Sequence, residues 1–111
     1  MKFEVTKNGK ATILKLHGRK LDSMVASELK AEFLILCKPK ASTKLVIDMK
    51  EVQFCDSSGL SALLIADRTM RQHGGLVHLV HVHEKVMNLM RISQLDRVFT
   101  INTKIEDALK A

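Results

Sequence analysis

The sequence predicts a single α/β domain with a mixed, mostly parallel sheet, an N-terminal β-hairpin and about four helices. Two observations lead to this fold class. The chain opens with two β-patterned segments joined by Asn8-Gly9, a residue pair that strongly favours a hairpin turn. Segments of helical periodicity then alternate with short apolar runs, as in parallel strands joined by right-handed crossovers. We therefore expect one domain over residues 1–111.

The first three elements are a hairpin and a helix. Phe3 and Val5 alternate with polar neighbours, residues 12–17 resume a β-rich pattern, and Gly18 breaks the strand. The spacing of apolar residues in 24–37 predicts the first helix, with one stripe formed by Val25, Leu29, Phe33 and Leu36.

Capping and breaking residues bound this helix. Asp22 or Ser23 can cap its N-terminus, since a side-chain oxygen there accepts an otherwise unpaired N–H. Lys38-Pro39 is expected to end it, because proline disfavours the α conformation in the preceding residue.

The rest of the chain continues the alternation. Residues 44–48 form a short apolar run typical of a buried central strand. Gly74-Gly75 is expected to end the helix that follows this strand, because glycine accepts left-handed backbone angles. The predicted elements that follow the buried strand are a helix over 60–72, a strand over 76–81, a helix over 84–92, a strand over 98–101 and a helix over 105–110.

Composition limits the functional classes. The chain is 46% hydrophobic with 5 Gly and 1 Pro, which excludes a disordered tail and a collagen-like fibre. The net charge of +6 is compatible with nucleic-acid or membrane-surface binding. However, the excess of positive charge lies in residues 1–50 and is scattered, and the chain has no Trp or Tyr for base stacking. We expect no nucleic-acid partner.

Targeting signals and cysteines indicate the compartment. No apolar run approaches the ~20 residues of a membrane span, and MKFEVTKNGK lacks the apolar core of a secretory signal. Cys37 and Cys55 imply no disulfide framework and are expected to be small buried side chains. We therefore expect a cytoplasmic protein without a membrane span.

The most informative segment is Asp56-Ser57-Ser58-Gly59, which follows a buried strand and a short loop. Asp and Ser are favoured N-cap residues, so one interpretation is simply a well-capped helix. The second interpretation uses the same geometry, because a helix N-terminus also accommodates a phosphate. A serine at this position could carry its own phosphate, which adds about −1.5 to −2 charges at pH 7.

The run VIDMKEVQFCDSSGLSALL, residues 46–64, resembles the STAS domain of bacterial anti-sigma factor antagonists. The resemblance extends over nearly the whole chain. It implies a STAS-like fold and a protein that binds an anti-sigma factor with ATP-dependent serine kinase activity, so that a sigma factor is released. It also implies that phosphorylation ends the binding, that a metal-dependent serine phosphatase restores it, and that the domain has no catalytic residues and needs no cofactor.

Residue by residue, the resemblance makes Ser57 the phosphoacceptor and Asp56, Ser58 and Gly59 its immediate frame. It also places Asp22 and Ser23 in the partner-binding surface.

Two departures from the family pattern stand out. The segment from Gly18 to Asp22 has one residue more than the usual Gly-x-Leu-Asp, which implies either that Asp22 does not make the family's partner contact or that the cognate partner is different. The late motif reads Ser93-Gln94-Leu95 instead of Ser-Gly-Leu, so the third helix is expected to end without glycine.

Other functions remain open on the residues alone. A lone STAS subunit of a signalling assembly or of a lipid-transport complex is the alternative within the family. An enzyme with Ser57 or Ser58 as nucleophile is disfavoured, because the Gly-x-Ser-x-Gly elbow is absent and no histidine is tied to either serine by pattern. His78, His81 and His83 are expected to be strand-end histidines near the surface, and we expect no metal site there, because only two of them can converge.

Overall fold

The predicted hairpin is the first feature of the computed structural model, which describes residues 1–37 and 43–110. Its strands pair antiparallel, with Asn8 opposite Ala11. Gly9 has a φ of +63°, which the turn requires. In chain order the elements are β1 (Lys2–Asn8), β2 (Ala11–His17), β3 (Lys20–Leu21), α1 (Ser23–Leu36), β4 (Lys44–Asp48), β5 (Phe54–Cys55), α2 (Ser57–Gln72), β6 (Leu76–Val80), α3 (Glu84–Ile92), a 3-10 turn (Leu95–Arg97), β7 (Thr100–Asn102) and α4 (Ile105–Lys110).

The main sheet has five strands in the order β1-β2-β4-β6-β7. The hairpin pair is antiparallel, and the β2–β4, β4–β6 and β6–β7 pairs are parallel. The predicted mixed, mostly parallel sheet with four α-helices is confirmed. Strand β4 is central and buried from Leu45 to Asp48, as its continuous apolar run indicates.

The described helices pack on both faces of this sheet. The larger core lies under α1, α2 and α3, where Phe33 and Leu63 are 1% and 0% exposed. The opposite face carries α4 over a smaller apolar cluster formed by Val46, Val80, Ala108, Ile13, Ile105 and Leu109. Full burial of one large apolar side chain contributes about 1.5–3 kcal/mol, so the larger cluster dominates stability.

Several predicted boundaries were wrong. Helix α2 begins at Ser57 instead of residue 60, because Asp56 acts as its N-cap. Strand β6 ends at Val80, since His81 has a φ of 57° that strands do not use. The last strand covers Thr100–Asn102 instead of 98–101, because the N–H of Val98 bonds back to the Leu95 carbonyl at 3.0 Å in the 3-10 turn.

The ends of two helices bear on further predictions. Helix α3 ends without glycine as expected, and Gln94 itself takes the left-handed conformation with a φ of 61°. Helix α1 ends at Leu36, with Cys37 as its C-cap. The predicted stop at Lys38-Pro39 lies outside the described residues.

Candidate functional site

Two helices begin side by side because the short strands before them pair. Strands β3 and β5 form a separate two-stranded parallel sheet in which Leu21 lies opposite Cys55. The next residue after each is an aspartate that caps a helix: Asp22 for α1 and Asp56 for α2. The N–H of Asp56 also donates to the Leu21 carbonyl at 3.2 Å. The structure therefore brings both predicted segments to one end of the molecule.

Asp56 organises the first turn of α2. Its side-chain Oδ1 accepts a 3.0 Å hydrogen bond from the N–H of Gly59, and its carbonyl accepts one of 3.0 Å from Leu60. The first N–H groups of a helix lack intrahelical acceptors, so those of Ser57 and Ser58 are directed outward from the helix end. Ser57 is exposed and Ser58 is half-buried. This is a surface at which an anionic group at Ser57 would meet N–H donors.

Gly59 allows α2 to approach β3 closely. A Cβ at this position would collide with the carbonyl oxygen of Leu21, and would lie 2.8 Å from the Sγ of Cys55. Backbone atoms cannot retreat cheaply, so a larger residue would push the helix start away from β3. The frame around Ser57 therefore depends on glycine for a steric reason.

Asp22 gives α1 a similar start. Its Oδ1 accepts a 3.1 Å hydrogen bond from the N–H of Met24, and its carbonyl accepts one of 2.9 Å from Ala26. Ser23 is exposed, and the Met24 side chain is 82% exposed. An exposed methionine therefore lies at the start of α1.

The segment from Gly18 to Asp22, which is one residue longer than the family pattern, is hydrogen-bonded to the loop before β5 through Arg19. The Arg19 carbonyl accepts hydrogen bonds from the N–H groups of Gln53 at 2.8 Å and Phe54 at 3.0 Å. The Arg19 Nη2 also donates to the Gln53 Oε1 at 3.0 Å. Because these bonds fix the loop, Leu21 and Asp22 keep their alignment with Cys55 and Asp56. The sequence analysis missed this pairing. A signal for it was present, because the tripeptides Leu21-Asp22-Ser23 and Cys55-Asp56-Ser57 have the same pattern of an apolar residue, an aspartate and a serine.

The comparison with protein families bears on the whole arrangement. Residues 2–108 match the model of the STAS domain. This chain belongs to the STAS domain family. The match includes the starts of α1 and α2, so both helix starts belong to the STAS domain.

Solved structures share the fold. An anti-sigma factor antagonist (STAS) domain protein from Planctomyces limnophilus matches with a TM-score of 0.89 and 20% identity, over 97% of this chain and 95% of that one. An anti-sigma factor antagonist from Mycobacterium paratuberculosis matches at 0.85 and 20%, over 98% and 91%. The Bacillus cell fate determinant SpoIIAA in its phosphorylated form matches at 0.74 and 19%, over 98% and 97%. At these identities the likeness shows the fold.

The three histidines of residues 78–83 form hydrogen bonds in the interior of the domain, to the end of β4 and to the loop after it. The expected surface position of His78 was wrong: it is 1% exposed, and a 2.8 Å hydrogen bond joins its Nδ1 to the Oδ1 of Asn102. His81 donates from Nδ1 to Asp48 at 2.9 Å, and His83 donates from Nε2 to the Lys50 carbonyl at 2.7 Å. The last two bonds hold the loop that leads from β4 to β5.

The described residues contain no group of three His, Cys, Asp or Glu side chains placed to hold a metal ion. The same part of the chain contains no helix that is long and apolar enough to cross a membrane.

Both cysteines are buried thiols, as predicted. Burial raises the pKa of Cys37 to about 11. Burial and the nearby charge of Asp56 raise the pKa of Cys55 to about 12. Since the nucleophile is the thiolate, neither cysteine is suited to reaction at neutral pH. Cys55 instead fills space beneath the start of α2.

Proposed function

We propose that this STAS domain is an anti-sigma factor antagonist whose binding is switched by phosphorylation of Ser57. In the unphosphorylated state it binds an anti-sigma factor that is also a serine kinase, and a sigma factor is released. The observation that carries the proposal is the position of Ser57, exposed in the first turn of α2 beside the start of α1. Asp22, Ser23, Asp56, Ser58 and Gly59 surround it as the binding surface.

The site can carry a phosphate without damage to the fold. The side chain of Ser57 is exposed, so a phosphoryl group there displaces no core residue. The helix N-terminus stabilises a nearby negative charge by about 0.3–1 kcal/mol. Asp56 remains in place, because its side chain is already bonded to the Gly59 N–H.

Phosphorylation of Ser57 would strongly weaken the binding of a partner docked over this surface. A phosphate adds about −1.5 to −2 charges beside Asp56 and opposite Asp22. The repulsion and the steric clash would fall at the centre of the binding surface. A loss of about 3–4 kcal/mol would weaken binding several hundred-fold, because each 1.4 kcal/mol is a factor of ten.

The kinase would supply ATP and the catalytic groups, and the STAS domain would supply the substrate serine. A serine phosphatase acting on phospho-Ser57 would reverse the switch. The phosphorylated form of SpoIIAA, which shares this fold, supports the proposal that a STAS domain can carry phosphate.

The first experiment tests the phosphorylation site. The protein is incubated with ATP and each anti-sigma factor kinase of its source genome, and phosphorylation is read by intact mass and peptide mapping. Wild type and Ser61→Ala, the matched control at an exposed serine of the same helix, should gain one phosphoryl group, whereas Ser57→Ala should gain none. Equal phosphorylation of Ser57→Ala would overturn the assignment.

The second experiment tests the switch. Ser57→Asp should weaken binding to the same kinase, whereas Thr6→Asp, at an exposed position on β1, should leave it unchanged. Circular dichroism checks that both variants are folded. If no kinase binds the wild-type protein and a transporter subunit co-purifies with it instead, the alternative role as a transport subunit would replace this proposal.

A further inference from the structure

We propose that a basic groove next to the two helix starts binds an acidic, partly apolar segment of the protein partner. The basic groove is lined by Arg19, Lys20, Gln53, Phe54 and Lys85 and has a volume of about 350 Å³. The inference rests on the proposed function, since the partner is the protein that docks over Ser57. It adds the chemistry by which that partner is recognised.

The groove is built on the same short sheet that aligns the helix starts. Lys20 lies opposite Phe54 in the β3–β5 pair. The next residues, Leu21 and Cys55, are buried, so Lys20 and Phe54 project to the outer side. Phe54 is 51% exposed, which is high for a phenylalanine in a folded domain. The groove therefore combines an aromatic surface with positive charge.

The positive charge of the groove is not neutralised locally. Arg19 donates to the neutral Gln53 side chain. Within residues 1–37 and 43–110, no acidic side chain forms an ion pair with Arg19, Lys20 or Lys85. The nearest acid along the chain from Lys85 is Glu84, and its carboxylate pairs with Arg91 at 2.9 Å. Three cations around one exposed ring select a partner segment with carboxylates and at least one apolar side chain.

The surroundings favour a protein segment over a nucleic acid. The groove is bordered by carboxylates, because Asp22 and Asp56 follow β3 and β5 and Glu84 precedes Lys85. Duplex DNA carries one negative charge per about 1.7 Å of its axis, so it would meet these carboxylates as well as the cations. A peptide can place its few carboxylates only where the cations are.

The position of the groove also links it to the switch. Phe54 and Ser57 are three residues apart, so their Cα atoms are at most about 11 Å apart. Charges are screened over about 8 Å at physiological ionic strength. A phosphate on Ser57 would therefore lower the positive potential of the groove and weaken its attraction for an acidic segment. Phosphorylation would therefore weaken partner binding in two ways: by direct repulsion at Ser57 and by lowering the positive potential of the groove.

The test uses peptides, so that it does not depend on a kinase. Backbone amide NMR signals of the ¹⁵N-labelled protein are followed during titration with a nonapeptide of alternating Glu and Leu, with its Lys-for-Glu counterpart, and with a double-stranded DNA oligonucleotide. The acidic peptide should shift the amides of Arg19, Lys20, Phe54 and Lys85. The lysine peptide and the oligonucleotide should not.

Charge variants show whether the groove or the net charge is responsible. Lys20→Glu/Lys85→Glu should weaken binding of the acidic peptide about tenfold, the sum of two exposed charge reversals. Lys7→Glu/Lys10→Glu has the same net charge but lies at the hairpin turn, at the opposite end of β2 from Arg19, and should bind as wild type.

Three outcomes would overturn the inference: equal weakening by both double variants, shifts confined to other amides, or tighter binding of the oligonucleotide to the groove. The proposed function is judged separately, because the peptide titration involves neither a kinase nor a phosphoryl group. Peptide binding without phosphorylation at Ser57 would contradict the switch alone.

Discussion

The N–H of Asp56 donates a 3.2 Å hydrogen bond to the carbonyl oxygen of Leu21, the residue immediately before the other helix cap, Asp22. This one bond ties the start of α2 to the start of α1. Because Leu21 also pairs with Cys55, the two caps are held by backbone geometry instead of by flexible side chains. Backbone hydrogen bonds therefore hold the two helix starts side by side. Under the proposed function, this arrangement would lower the ordering cost of partner binding.

Gly59→Ala tests the close approach of α2 to β3. The added Cβ would meet the Leu21 carbonyl, which is backbone and cannot move aside, and the Cys55 Sγ. We expect a loss of about 1–3 kcal/mol in the free energy of unfolding, as for overpacked sites. Urea unfolding followed by far-UV circular dichroism is the suitable measurement, since the chain contains no Trp or Tyr. Ser61→Ala, exposed on the same helix, should change stability by less than about 0.5 kcal/mol.

Asp56→Ala tests the helix cap. It removes the acceptor for the Gly59 N–H, and loss of an N-cap costs about 0.5–2 kcal/mol. Asp56→Asn keeps an acceptor oxygen and removes only the charge, so it should lose clearly less stability in the same unfolding assay. Equal losses in the two variants would show that the charge, and not the hydrogen bond, stabilises the start of α2.

Gln94→Gly tests the left-handed residue after α3. Gln94 has a φ of 61°, a conformation that costs an L-residue roughly 1–2 kcal/mol and glycine almost nothing. After the greater chain entropy of glycine in the unfolded state is subtracted, we expect a net gain of about 0.5–1 kcal/mol in unfolding free energy. Ser61→Gly, in a right-handed helical position, should lower it instead. A loss of stability in Gln94→Gly would contradict the strain assigned to this residue.

The raised pKa values of the two cysteines predict how the free energy of unfolding changes at high pH. The pKa values of Cys37 and Cys55 are raised to about 11 and about 12 in the folded protein, from 9.0 in the absence of burial. Well below pH 9 both thiols are protonated in the folded and unfolded states. Above it the unfolded state loses protons first, so stability falls as the pH rises from 9 to 12.

The double variant Cys37→Ala/Cys55→Ala serves as the comparison for this prediction. It should have a shallower decline of unfolding free energy over pH 9–12 than wild type, even if its stability at pH 7 is lower. Parallel declines in the two proteins would mean that other groups control the alkaline behaviour.

Periodicity was sufficient to predict the order of the long elements. Helix α1 and strand β4 were recognised because apolar spacing records which side of each element is buried. Strands β3 and β5 were missed because two residues are too short to show a period. His78 was misplaced for a related reason: it is buried and hydrogen-bonded to Asn102, which is 24 residues away and is brought to it only by the tertiary structure.

The sequence by itself determined the α/β class and the segment from Asp56 to Gly59 at a helix start, and its resemblance to the STAS domain made Ser57 the candidate phosphoacceptor. The first two features are local, because caps and periodic stripes depend on residues within one or two turns of the chain. Only the tertiary structure decided that Asp22 lies beside Asp56, that Gly59 has no room for a side chain, and that Arg19, Lys20 and Lys85 surround Phe54. Each of these depends on contacts between segments more than thirty residues apart, and no local pattern encodes which segments will meet.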